Sequence, residues 1–485
     1  MDFINILEST HNIKLNEEQL KAVTHVCGPA LVLSGPGSGK TTVITSRCAY
    51  LIMEARINPR NILTLTFNRA AKLEMESRFS RIYKDGPKPG FGTIHSFCNM
   101  IVGDYERRQG KRFRRIEGEE EDKRKIIKNI YTRINGININ EDELEDLINE
   151  IGLVKNRMIK DLDNIESSIK NFTEVFKFYE EYKRSNLLID FDDMLTYAYS
   201  ILNKCPDLLI SYRNRYTFLQ VDEGQDLSKV QFEILKLLAG PGKGNIFIVA
   251  DDDQSIYGFR GATPGHIFDF EKEFTGLKIL KLENNYRSSG NIVGISSDFI
   301  RSNQERYDKC HKTVNDFFED PFILDFINMK EQLKFIIETI KSHLEENSNI
   351  EIAILYRNNI SSVLIADAID TAGINIKIMQ NKLFFFRHWI VQDILAFLRF
   401  SQNQSDKEAF FRIYNKMNRF ISRQMAENAQ SHESSKSLID SIIETCDLKP
   451  FQTNRFNELK NEFSMLASLH PEDALRYIEE GFKYF

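Results

Sequence analysis

Two clusters of residues have the types and spacing to do chemistry. Gly35-Pro36-Gly37-Ser38-Gly39-Lys40-Thr41-Thr42 follows the short apolar run Ala30–Ser34, and Asp222-Glu223-Gly224-Gln225-Asp226 follows a second run, Tyr216–Val221. The first has G-x-x-x-x-G-K-[ST] spacing, in which glycines let backbone N–H groups converge on phosphate oxygens at the positive end of the next helix. Lys40 then reaches the β- and γ-phosphates of a nucleoside triphosphate, and the Thr41 hydroxyl ligates Mg²⁺. A glycine turn with a surface lysine is the competing reading, and it is poor because strand, spacing and helix coincide. In the second cluster Asp222 stands where an open parallel sheet places a Mg²⁺-linked carboxylate, with Glu223 as general base for the attacking water. Asp226 has another use, as N-cap of a helix over 227–238. A third run, Ile246–Ala250, ends in Asp251-Asp252-Asp253-Gln254. Alone this is an acidic turn; in series with the other two it offers the Gln254 amide to the γ-phosphate or the attacking water.

These groups need a sheet to hold them. Ala30–Ser34, Ile62–Thr66, Tyr216–Val221 and Ile246–Ala250 read as buried parallel strands, being short, apolar and bounded by turn or phosphate-loop residues. A charged, helical segment from Ser96 to Asn186 interrupts them and reads as an insertion. A second set of strands is expected at Lys278–Leu282, Phe322–Phe326, Ile352–Tyr356 and Ile374–Met379, separated by helices such as 331–344. From Phe384 the pattern turns helical, beginning with 389–400, and it does not return to strands. The run Phe384-Phe385-Phe386 and Trp389 read as core and hinge packing.

Bulk properties set outer limits. The 485 residues suffice for three or four packed units. A hydrophobic fraction of 42% and a mean hydropathy of -0.36 fit globular cores, and no apolar run approaches the ~20 residues that span a bilayer. Six scattered cysteines without a C-x-x-C pair argue against a disulfide framework or zinc ribbon, so a cytoplasmic setting is expected. A net charge of -6 gives no global argument for nucleic acid, although phosphate contacts need only a local basic track. The densest candidate, Arg107 to Arg115, reads first as a solvated loop balancing Glu119-Glu120-Glu121-Asp122.

Seven motifs occur in order: Leu15-Asn16-Glu17-Glu18-Gln19, the phosphate loop, Leu65-Thr66-Phe67-Asn68-Arg69-Ala70-Ala71, Thr93-Ile94-His95-Ser96-Phe97, the 221–226 segment, the 251–262 segment and Glu283-Asn284-Asn285-Tyr286-Arg287-Ser288-Ser289. The chain resembles the UvrD/Rep/PcrA-like superfamily 1A DNA helicases, over residues 15–293 in motifs and over its whole length in organisation. The resemblance implies an α/β fold class with two RecA-like parallel-sheet P-loop domains, each carrying a helical insertion. Residues 1–95 and 187–277 form the first, 96–186 its insertion, 278–383 an incomplete second, and 384–485 part of the second insertion. It also implies an ATP-dependent motor with Mg²⁺, moving 3′→5′ on single-stranded DNA or DNA with a single-stranded tail, with no role at a membrane.

Residue roles follow from the same resemblance. Gln19 reads adenine, Tyr286 stacks on the base, and Arg287 is an arginine finger, for which a salt bridge to Glu283 is the alternative. Phe67, His95, Tyr257, Phe259 and Arg260 match positions that contact single-stranded DNA, where aromatic faces stack on bases without sequence preference. Taken singly, Phe67 or Phe259 would more often be core. The chain departs from the family at Asn68-Arg69, where the motif is a residue shorter, at Phe259, where tryptophan is frequent, and at Ala250, where glycine often stands. Two further family motifs do not appear by Phe485, so the chain is expected to be an N-terminal part of a longer protein, weakly active or inactive alone. The rival readings are the motor part of a RecB/AddA-type helicase–nuclease and a DNA-binding module without turnover.

Overall fold

The computed structural model describes residues 3–84, 86–116, 122–162, 165–241, 244–258, 261–262, 265–358, 361–378, 389–417, 421–431 and 437–484. The chain divides into two compact units, Met1–Phe322 and Ile323–Phe485. Its strands are β1 (Ala30–Ser34), β2 (Ile62–Thr66), β3 (Gly90–Thr93), β4 (Arg114–Arg115), β5 (Leu188–Ile189), β6 (Phe218–Val221), β7 (Ile246–Ala250), β8 (Lys278–Leu282), β9 (Asn284–Asn285) and β10 (Lys312–Thr313).

The first unit is built on a six-stranded sheet in the order β3-β2-β6-β7-β1-β8, parallel throughout. Its central strands are apolar on both faces because helices cover both. Side chains alternate across β1, so Leu31 and Leu33 join one core while Ala30 and Val32 join the core on the opposite face. The C-terminal edge of this sheet carries every catalytic candidate from the first three motif clusters.

Between β3 and β6 run the helices Ile94–Gln109, Lys123–Asn135, Glu141–Asn156, Phe172–Ser185, Phe191–Lys204 and Pro206–Arg215. Leu144, Leu147, Val175 and Tyr179 form a separate apolar centre there. Next to it lies a buried charge cluster: the Lys155 ammonium is 2.5 Å from Asp193 and 3.2 Å from Asp190, and Lys183 is 2.7 Å from Asp193. Such charges are tolerable in a core only when paired. Within the basic run, Arg115 is structural: it pairs with Glu106 at 2.8 Å and hydrogen-bonds Asn99. Residues 117–121, including Glu119, Glu120 and Glu121, lie outside the described residues.

The strand plan needs two corrections. Lys278–Leu282, expected to open a second strand set, pairs in parallel with β1 from Ala30↔Lys278 to Ser34↔Leu282, and so forms the edge of the first sheet. The reason is its inner face: Leu280 and Leu282 enter the β1 core. Conversely, the described residues of 322–326, 352–356 and 374–378 form no ladder, and Met379 lies outside the described residues. An apolar run becomes a strand only beside a partner that takes its N–H and C=O groups. Here Ile323 and Leu355 are each 93% exposed.

The second unit holds the helices Met329–Glu346 and Ser361–Thr371, then a helical bundle from Trp389 to Glu480 around Phe397, Phe400, Phe410, Phe463 and Phe482. Asp393, fully buried in the bundle, accepts from Arg412 at 2.7 Å, from Lys416 and from the Tyr484 hydroxyl at 2.6 Å. Trp389 is half-buried at the bundle's first helix, while Phe384-Phe385-Phe386 lie outside the described residues.

Candidate nucleotide site and aromatic track

β1 runs straight into the glycine loop, and the helix Lys40–Met53 starts at its end. Gly37 and Gly39 hold φ values of +67° and +85°, which side-chain-bearing residues rarely adopt. Gly37 is also crowded, since a Cβ there would stand 2.8 Å from Asn285 Oδ1 and 2.9 Å from Arg287 Cβ. The loop is pinned from three directions. Ser38 Oγ donates to the Gly35 carbonyl (2.8 Å), the Gly35 N–H donates to Leu282 (3.0 Å), and the Tyr286 N–H donates to Gly37 (3.0 Å). Pro36 is exposed, whereas Thr41 and Thr42 are half-buried on the first turn of the helix.

The acids converge on this loop. Lys40 Nζ lies 3.5 Å from Glu223 Oε2 and 3.9 Å from Asp251 Oδ2. Asp222 is buried at the end of β6, and its Oδ1 has no hydrogen-bond partner. Burial and the neighbouring Glu223 carboxylate push its acid up to about 7. Glu223 itself adopts a left-handed backbone, φ +53°, a strained state for a residue with a side chain. The next residue is closely packed, because a Cβ on Gly224 would stand 2.5 Å from Ile248 Cγ2 and something would have to shift.

Asp226 differs from its expected capping role. The helix begins at Lys229, and Gln231 there accepts the N–H of Ser228 (2.9 Å). Asp226 instead ends a single turn, Gly224–Asp226, with a buried, unpartnered Oδ1, and burial with Glu223 raises its acid to about 7. Gln225, unremarked in the sequence, ties the clusters together. Its Nε2 donates to Glu223 Oε2 (2.8 Å), and its Oε1 accepts the Asp251 N–H (2.9 Å). The signal for it was only its place inside Asp222–Asp226. Gln254 follows on the turn after β7, where it is half-buried.

Gln19 reaches the loop from the other side. Asn16 and Gln19 form a reciprocal cap for the helix Glu17–Val23, and Gln19 Nε2 also donates to the Ser38 carbonyl (2.9 Å). Asn16 Nδ2 donates to the Tyr286 hydroxyl (2.6 Å), so Gln19 and Tyr286 border the same side of the phosphate loop. Arg287 is exposed beside Gly37. Glu283, the alternative partner, accepts the Cys310 N–H at Oε1 (3.0 Å).

Of the nucleic-acid candidates, Phe67 and Tyr257 come together. Their half-buried rings stack with centroids 5.2 Å apart, although they leave the ends of β2 and β7 separately. His95, at the start of the helix after β3, meets Phe191 edge-on at 6.4 Å. Burial lowers the His95 pKa against the pull of Asp192, which leaves the ring neutral near pH 7. Phe191 was not singled out in the sequence, and its 52% exposure is what marks it. Phe259 and Arg260 lie outside the described residues.

Comparison with known proteins adds a match of residues 15–275 to the UvrD/REP helicase N-terminal domain and of residues 280–472 to the UvrD-like helicase C-terminal domain. The chain belongs to the UvrD/REP helicase family. Among its relatives, the Bacillus subtilis (strain 168) protein named "Putative ATP-dependent DNA helicase YjcD" is 33% identical over 483 residues, covering 96% of this chain and 62% of that protein. The ATP-dependent DNA helicase PcrA of Staphylococcus aureus (strain Mu50) is 30% identical over 474 residues, covering 96% and 64%. PcrA of Staphylococcus epidermidis (strain RP62A) is 30% identical over 475 residues, again covering 96% and 64%. The chain thus spans under two thirds of the length of these relatives.

Membership in the UvrD/REP family implies use of ATP with Mg²⁺. The residues present fit the ion: Asp222 offers a buried, unpartnered oxygen, and Thr41 stands on the first helical turn beyond Lys40. No helix among the described residues is long and apolar enough to cross a membrane, and all six cysteines are unpaired.

Proposed function

We propose that this chain is the ATP-fuelled motor segment of a DNA helicase or translocase that moves 3′→5′ on single-stranded DNA. The observation that carries this reading is the shared edge of one sheet. Lys40, Asp222, Glu223 and Gln254 leave the C-terminal ends of β1, β6 and β7, and the stacked Phe67–Tyr257 pair leaves the ends of β2 and β7 beside them. In this reading the loop N–H groups and Lys40 hold the triphosphate, and Lys40 leaves its carboxylate partners to do so. Glu223, oriented by Gln225, takes the proton from the attacking water. Bound Mg²⁺ would neutralise phosphate charge from Thr41 and Asp222. Gln254 senses the γ-phosphate, Tyr286 and Gln19 select adenine, and Arg287 stabilises charge in the transition state. Tyr257, three residues beyond Gln254, passes the nucleotide state to bases held by Phe67, His95, Phe259 and Arg260.

The domain plan is proposed accordingly: a first RecA-like domain from 1–95 and 187–277 with β8 (278–282) added at the edge of its sheet, an insertion over 96–186, and second-domain segments over 283–383 and 384–485. Calorimetric titration tests the reading at its base. Mg·ATP should bind, and Lys40→Ala should weaken it by about tenfold or more, as expected for a lost charge-assisted contact. Turnover is measured on this chain and on a form extended past Phe485, with the larger DNA-stimulated rate expected from the longer form. In the active form Glu223→Gln should keep ATP affinity and lose about 10²–10⁴ in rate. Unwinding of 3′-tailed but not 5′-tailed duplexes supports the polarity. Absence of nucleotide binding, or full turnover by Glu223→Gln, refutes the reading.

A further inference from the structure

Asp251, Asp252 and Asp253 bring carboxylate oxygens within 4.8 Å of one another, an arrangement that could hold a metal ion. Its centre is filled by a side chain instead. Lys309 Nζ lies 2.8 Å from Asp251, 2.6 Å from Asp252 and 2.9 Å from Asp253, and that side chain is 1% exposed. Burial opposes its charge, but Asp251 and Asp252 outweigh it and hold the ammonium above the ordinary lysine range. Arg306 completes the neutralisation with a fork onto Asp253, Nε at 2.8 Å and Nη2 at 2.7 Å. The Tyr307 N–H donates to Asp252 Oδ2 (2.7 Å), and His311 Nε2 lies 3.4 Å from Asp253.

The same short segment grips the strip that carries Tyr286 and Arg287. The Lys312 N–H donates to the Glu283 carbonyl (2.9 Å), β10 pairs with β9, and Thr313 Oγ1 donates to the Asn285 carbonyl (3.0 Å). His311 also closes over the phosphate loop, since a Cβ on Gly35 would stand 2.5 Å from its Nδ1. Residues 306–313 therefore join two pieces of the nucleotide site that are far apart in sequence: the turn presenting Gln254 and the strip presenting Arg287.

We propose that Lys309 is a positioning residue for nucleotide hydrolysis, its ammonium replacing a metal ion at the centre of the Asp251–Asp253 turn and fixing Gln254 toward the γ-phosphate. Three carboxylates this close repel one another without a cation, and the turn would open. Arg306 anchors the outer acid, so Lys309 sets the inner part of the turn. The inference rests on the nucleotide reading above.

The test is the ratio of Mg·ATPγS affinity to Mg·ADP affinity, because only the former has a γ-phosphate for Gln254 to meet. Gln254→Ala should lower that ratio by about tenfold, the loss of one hydrogen bond to a charged group. Lys309→Met should lower it equally with ADP affinity unchanged, Lys309→Arg should restore part of it, and the Lys309→Met/Gln254→Ala double variant should lose no more than either single one. Lys309→Met should also gain one Mn²⁺ site without nucleotide over the number the unsubstituted chain holds, read by paramagnetic resonance. Circular dichroism and melting identify a misfolded Lys309→Met, in which case Lys309→Arg and Asp252→Asn carry the same comparison, Asp252→Asn lowering the ratio through the same turn. A ratio unchanged in folded Lys309→Met, or additive losses in the double variant, overturns this proposal alone. Failure of the unsubstituted chain to bind either nucleotide overturns the underlying reading, and this proposal with it.

Discussion

Asp226 is a buried acid with an unpartnered oxygen, next to Glu223 and raised to about 7. Its folded carboxyl keeps a proton that the unfolded chain releases near the ordinary aspartate value. Between those two pH values the folded form binds more protons, so stability falls as pH rises, and the full penalty is present above about pH 7. Asp226→Asn removes this dependence. Its melting temperature relative to the unsubstituted chain should rise by about 2 °C or more between pH 5 and pH 8; an equal difference at both pH values would contradict the assignment. His95 makes a second residue-scale case. A neutral ring contributes stacking and no charge, so His95→Ala should weaken single-stranded DNA binding by about 1–3 kcal/mol. The slope of log affinity against log salt should stay unchanged, and a slope reduced by about one would mean a charged contact. The glycine loop and the acids of Asp222–Glu223 could be found in the sequence because their chemistry demands fixed spacing. Gln225 and Lys309 could not, because each acts on groups brought from other parts of the chain by folding.

Strands and helices were legible where periodicity and composition agreed, as in β1, β7 and the helix Trp389–Gln402. β3 was not, since Gly90 and Gly92 leave it without an apolar run, and it exists because β2 supplies its ladder. β8 is legible as a strand but its partner is not, for pairing is a tertiary choice that a run of Lys-Ile-Leu-Lys-Leu does not encode. Gly224 shows how closely two elements are fitted. The turn after β6 lies flat on Ile248 of β7, so Gly224→Ala must push the turn or the strand aside. The expected cost is about 1–3 kcal/mol in denaturant unfolding, with weaker Mg·ATP binding because Glu223 and Gln225 move with the turn. A fully stable Gly224→Ala variant would show that the contact relaxes freely.

At the scale of the chain, the second unit displays apolar side chains as large as Ile327, 92% exposed, and Leu355. Apolar side chains left in water are where a hydrophobic dye can bind. Ile327→Ser with Leu355→Ser should lower hydrophobic-dye fluorescence and raise solubility, with Mg·ATP affinity changed by no more than about twofold; unchanged dye binding would place the sticky surface elsewhere. The first unit is organised differently, around one strand. β1 lies between β7, which leads to Gln254, and β8, which leads to Tyr286 and Arg287. Ser34 Oγ donates to Ala250 on one side, and the Gly35 N–H donates to Leu282 on the other. In the proposed motor, a phosphate that displaced the loop would therefore pull on both neighbours together. The two neighbours are also tied to each other at their far ends, since residues 306–313 hold both the Asp251–Asp253 turn and the strip before Arg287, so the stem and its two arms form a closed ring rather than an open fork.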